Sequence, residues 1–99
     1  METLAGWRKK IDNVDQGLIK LITERVCYSI AIARIKSKNG MQITCPSREV
    51  EVLRSRKQWA GNLKPDFVES LFKMIMEYSR EVQRNKNPET TYEPANAAQ

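Results

Sequence analysis

The sequence predicts an all-α domain of three helices, the first much the longest, assembled as an intertwined homodimer. Three observations predict it. From Glu2 to Lys38 there is no proline, and past the first turn Gly17 is the single glycine. Over that stretch apolar residues recur at alternating steps of three and four, the mark of one helical face. Nowhere does the chain show a useful run of the alternation that strands require.

The first helix carries its stripe on Leu4, Trp7, Ile11, Val14, Leu18 and Leu21, then on Tyr28, Ile32 and Ile35. The series calls for an apolar residue at position 25, and Arg25 stands there instead. Asn39-Gly40 should end the helix, since both tolerate left-handed backbone geometry. After a short connection, Met41 to Thr44, Cys45-Pro46-Ser47 opens a second helix with Pro46 near its first position. Val50, Val52, Leu53 and Trp59 carry that helix to about Ala60. Gly61-Asn62 is a second stop. Leu63-Lys64-Pro65-Asp66 starts a third helix whose apolar side holds Phe67, Leu71, Phe72, Ile75, Met76 and Val82, fading near Asn87. The helical domain is therefore expected over 1–87. Residues 88–99, with two prolines and no periodicity, are expected to be a disordered tail.

Length makes the oligomer argument. A helix of about 36 residues spans on the order of 54 Å. A compact domain of this size has a radius of gyration of about 13 Å. The first helix should overshoot the globule and leave its stripe bare unless a second copy covers it, and symmetric homodimers are the commonest assemblies. A break near Gly17 would give a four-helix monomer instead.

Composition excludes several chemistries. The chain has no histidine, which removes the usual general base, the Ser-His and Cys-His pairs and the commonest zinc ligand. Cys27 and Cys45 match no metal or redox spacing and are expected as thiols in a reducing compartment. No metal and no cofactor is expected. No apolar run approaches a membrane span. Met1 to Lys10 carries Glu2, Arg8, Lys9 and Lys10 and lacks the apolar core of a secretory signal, so a cytoplasmic protein is expected. With room for one domain, feedback control within the chain is not expected. The net charge of +5 suits an anionic partner. Nucleic acid is one option, supported by Arg8-Lys10 and Arg34-Lys38, but no recognition helix or RNA-binding motif is visible.

Polar residues at core-like positions point instead to a small acid. Lys36 lies 11 residues after Arg25, a rotation of about 20° past three turns, so both share one face with Ser29. Two cations on a partly apolar face are costly to bury unless an anion joins them. Arg8 lies 17 residues before Arg25, about 100° away in rotation and roughly 25 Å distant, so it suits a partner's pocket better than its own. Ser79 interrupts the stripe of the third helix, with Gln83 one turn on. Arg48-Glu49 opens the second helix. Arginine forks hold carboxylates in pairs, while Lys, Gln and Glu can serve an ether oxygen and a hydroxyl. The set suits a compact dicarboxylate with a hydroxyl and offers no nucleophile.

In order and spacing these residues resemble the helical chorismate mutases. The similarity runs from about Leu4 to Gln83 through Arg8-Lys-Lys-Ile-Asp12-x-x-Asp15, Glu24-Arg25, Lys36, Arg48-Glu49 and Ser79-x-x-x-Gln83. The resemblance implies a rearrangement of chorismate to prephenate. It implies that Arg8 reaches into the partner's site and that Arg25 and Arg48 hold carboxylates with help from Ser79. Lys36 and Gln83 would donate to the ether oxygen, and with Arg25 would form the catalytic set. Glu49 would accept from the ring hydroxyl. The family often has Asp where this chain has Cys45, a position at the hydroxyl end of the substrate. Isochorismate pyruvate lyase and 4-amino-4-deoxychorismate mutase, on the same scaffold, are the alternatives. A basic dimer binding nucleic acid and a purely structural or regulatory dimer are those of another class.

Overall fold

A computed structural model describes residues 2–85. The expected tail at 88–99 lies outside the described residues. Three helices follow one another: α1 (Leu4–Lys38), α2 (Pro46–Gln58) and α3 (Pro65–Arg84), with no strand among the described residues. The ends differ from expectation by a few residues, each for a local reason. Helix α1 begins at Leu4 because Thr3 caps it, its hydroxyl accepting from the Gly6 N–H at 3.0 Å. Helix α2 ends at Gln58, with Trp59 as an exposed cap rather than a core residue. Pro46 and Pro65 each occupy the start of a helix, where a missing N–H costs nothing.

Helix α1 is 35 residues long and runs unbroken through Gly17. Its end is a Schellman closure: the Met41 N–H bonds the Lys36 carbonyl at 2.8 Å and the Gly40 N–H bonds that of Ser37 at 3.2 Å. Gly40, at φ 65°, takes the left-handed position by itself; Asn39, at φ −97°, does not share it.

Helix α3 lies against both other helices, and the core forms along it. Val26 and Ala33 of α1, seven residues apart and so on one face, are fully buried there (1 % and 0 % exposed). Val52 of α2 and Val68 and Met76 of α3 complete it. All but Met76 are small side chains, so the core is thin. The molecule measures 59 × 35 × 18 Å with a radius of gyration of 16.6 Å, larger than a compact domain of this length would have. The excess is α1. Between Glu2 and Ile22 only Gly17 is even half-buried, and Leu4, Trp7, Ile11, Val14, Leu18 and Leu21 all stand in solvent.

Candidate active site

Where α1, α2 and α3 converge they enclose an open cleft of about 390 Å³. Helix α1 supplies Arg25, Ser29 and Lys36 from one face, as the rotation arithmetic requires. The loop supplies Cys45, and the first turn of α2 supplies Arg48 and Glu49. The last turns of α3 bring Ser79 and Gln83 from the opposite wall. All the site residues named from the sequence line this cleft except Arg8, which is exposed on the far half of α1.

Hydrogen bonds fix several of these groups. Lys36 Nζ donates to the Ile43 carbonyl at 3.1 Å, tying the loop onto α1. Gln83 Nε2 donates to the Ser29 carbonyl at 3.0 Å, which joins α3 to α1 across 54 residues of sequence. Ser79 is buried (5 % exposed), and its hydroxyl donates to the Ile75 carbonyl at 3.0 Å. It therefore packs where the apolar stripe left room for a small residue, and its oxygen keeps acceptor capacity toward the cleft. Arg48 is more exposed than a carboxylate clamp needs. Its Nη1 bonds Glu51 at 2.8 Å, a surface pair that is weak in water and readily exchanged for another carboxylate.

Two further cations line the cleft that the sequence reading did not single out, Arg56 and Arg80. Arg56 lies eight residues after Arg48 on α2, about 80° past two full turns, and both side chains line the cleft. Its guanidinium is held by the Ser55 hydroxyl at 2.8 Å and lies 4.5 Å from the Trp59 ring centroid and 5.8 Å from that of Phe72. Arg80 follows Ser79 directly and is ion-paired to Glu49. No spacing within either helix marks them: each reads as an ordinary surface arginine until α2 and α3 are placed side by side.

The electrostatics of the cleft are lopsided. Glu49 is the sole acid among the lining residues, against Arg25, Lys36, Arg48, Arg56 and Arg80. Burial, and then the nearby Arg56 and Arg48 charges, depress the Arg25 pKa, and no carboxylate among the described residues pairs with Arg25. A half-buried cation beside like charges is a receptor for an anion. At the mouth, the Ser47 hydroxyl and then the Arg48 N–H pull the Cys45 thiol below its usual pKa, with Lys36 contributing less. The two cysteines are not joined in a disulfide. The described residues include no cluster of His, Cys, Asp or Glu able to hold a metal ion, and no helix among them is long and apolar enough to cross a membrane.

The profile of the chorismate mutase type II family matches residues 7–84, most of the chain and the whole of the cleft. The chain belongs to this family. Among curated proteins it is 34 % identical over 92 residues to a chorismate mutase of Methanocaldococcus jannaschii, an alignment covering 91 % of this chain and 93 % of that one. It is 32 % identical over 89 residues to the T-protein of Enterobacter agglomerans, covering 88 % of this chain. It is 38 % identical over 69 residues to a bifunctional chorismate mutase/prephenate dehydratase of Aquifex aeolicus, covering 66 % of this chain. The chain spans 24 % of the T-protein and 19 % of the bifunctional protein, so in those relatives the region of similarity is one part of a longer polypeptide.

Proposed function

We propose that this chorismate mutase family member rearranges chorismate to prephenate. The observation that carries this reading is the convergence of Arg25, Lys36, Arg48 and Gln83, drawn from three helices, on one cation-lined cleft. The reaction is unimolecular: the ether C–O bond breaks as a C–C bond forms, with no nucleophile and no net proton transfer. That suits a site without histidine. The cleft has two tasks. Arg25 and Arg48 hold the carboxylates so that the compact conformer, with its reacting ends together, is selected. Lys36 and Gln83 donate to the ether oxygen, where negative charge builds as the bond breaks. Both groups are already oriented by backbone carbonyls, so little reorganisation accompanies the step. Arg8 completes the site from a second copy, as Arg8 of the partner subunit.

The dimer belongs to the same proposal. Each large apolar side chain buried is worth about 1.5–3 kcal/mol. The six on the first half of α1 stand bare in a single chain. Antiparallel pairing of two such helices covers them and carries Arg8 along the partner toward its cleft. The proposed setting is the cytoplasm.

The deciding experiment is to follow the loss of chorismate by its ultraviolet absorbance and identify the product, with isochorismate and 4-amino-4-deoxychorismate as parallel substrates. Prephenate from chorismate supports the reading. Pyruvate release from isochorismate, or turnover confined to the amino compound, replaces it with one of the other activities on this scaffold.

A further inference from the structure

Glu49 is not free to meet a substrate on its own terms. It is the sole acid among the described residues that line the cleft, and the Arg80 guanidinium from α3 is ion-paired to one of its oxygens, Oε2, across 31 residues of sequence. Both side chains are about one-third exposed, so the pair sits at the wall of the cleft rather than out in solvent. A carboxylate paired in this way keeps its second oxygen as an acceptor, while the ion pair as a whole carries no net charge. Lys36, Arg48, Arg25 and Arg56 line the same cleft.

We propose that Arg80 is a specificity-determining, positioning residue that makes this cleft select a neutral hydroxyl over an ammonium group on the ring of its dicarboxylate substrate. The inference rests on the proposed function and deepens it. A hydroxyl gives its one hydrogen to the remaining Glu49 oxygen and is indifferent to the surrounding cations. An ammonium at the same place meets an acid already neutralised by Arg80 and a field set by Lys36 and Arg48. It also lowers the net charge of the ligand from −2 to −1, which weakens its hold on the arginines. Without Arg80, Glu49 loses its direct ion-pair partner and the discrimination shifts toward the cation.

The experiment compares kcat/KM for chorismate with that for 4-amino-4-deoxychorismate in the wild-type protein and in Arg80→Leu, with circular dichroism confirming helicity. Arg80→Gln carries the same comparison if the leucine variant loses structure. The wild-type protein is expected to favour chorismate. Loss of the guanidinium is expected to lower the ratio by about tenfold or more, the scale of one charge-assisted hydrogen bond. Arg80→Lys, which restores the charge, should hold the ratio within about threefold of wild type. A clamp that merely joined α2 to α3 would lower both values together and leave the ratio fixed; that result overturns the proposal while chorismate turnover stands. A wild-type protein inactive on chorismate defeats the proposed function itself, and this inference with it.

Discussion

The two halves of α1 belong to one unbroken helix and differ in both patterning and surroundings. From Leu4 to Ile22 the stripe is intact, and no side chain of it is covered by the chain's own helices. From Thr23 onward the stripe is broken by Arg25, yet this half holds both residues of α1 that are fully buried, Val26 and Ala33, together with Arg25, Ser29 and Lys36 in the cleft. Regular amphipathic patterning thus marks the half that the single chain leaves open. Irregular patterning marks the half that folds against α3 and lines the site. A stripe advertises a surface for burial but does not say whose surface will bury it. An interruption by Arg or Ser is where a face has a second task.

The comparison can be broken first on the open half. Leu18 lies mid-stripe and is 52 % exposed in the single chain. If a second copy covers it, Leu18→Glu buries unpaired charge at a cost of at least about 3 kcal/mol per copy. The expected outcome is dissociation in sedimentation velocity and loss of nearly all activity. Lys20→Glu, two residues on and on the opposite side of the helix, should change neither. An active, unchanged oligomer in Leu18→Glu would mean that the stripe has no partner.

On the closed half the largest effect is expected at Lys36. Removal of one preorganised donor to a developing oxyanion costs roughly 3 kcal/mol, or two to three orders of magnitude in rate. Lys36→Ala should lower kcat by about that factor with KM less affected. Its bond to Ile43 is an exposed one, so helicity should remain. Near-normal turnover would remove Lys36 from the mechanism.

The two halves can then be tested against each other. Arg8 lies on the open half and Lys36 on the closed half of the same helix. If each cleft is completed by Arg8 of the partner subunit, then Arg8→Ala and Lys36→Ala chains are each deficient, but a mixed dimer contains one intact cleft. Random re-pairing in equal amounts puts half of the dimers in the mixed form. About a quarter of wild-type activity should therefore return on mixing. Activity that stays at the average of the two variants would place Arg8 and Lys36 in the same chain's site or leave Arg8 without a role.

Much of this organisation was legible before any coordinates. Helix number and order follow from Pro46, Pro65, Gly40 and Gly61, whose backbone chemistry is local and strong. The cleft was legible because Arg25, Lys36, Ser79 and Gln83 stand where helical arithmetic puts them on shared faces. The core was read less well. Val26, Ala33 and Val68 are buried although none is a large apolar residue, because close helix crossings select small side chains. Phe67, on the apolar side of α3, and Trp59, at the end of α2, lie largely in solvent in the single chain. Arg56 and Arg80 were invisible for a different reason. Their significance comes from α2 lying beside α3, a long-range fact that no spacing within either helix encodes.

The smallest effect concerns pH, and it separates the cleft's resident groups from its mouth. Gln83 has no titrating proton, and the chain has no histidine to charge on acidification. Arg25, although depressed, is an arginine and stays charged through the neutral range. The rate should therefore be nearly flat from neutral to mildly acid conditions, and a steep rise on acidification would contradict the roles given to Lys36 and Gln83. The alkaline side differs. The folded protein holds the Cys45 thiol below its ordinary pKa, through Ser47 and the Arg48 N–H, so the thiolate forms earlier as pH rises than it would in a free cysteine. That negative charge at the mouth of the cleft opposes a dicarboxylate. KM should climb by about two- to fivefold across the thiol titration, the size of one screened charge interaction at an open site. Cys45→Ser keeps the polarity and abolishes the titration, and should flatten the alkaline rise while leaving kcat near neutrality unchanged. If the rise persists in that variant, another group sets it and Cys45 does not face the bound acid.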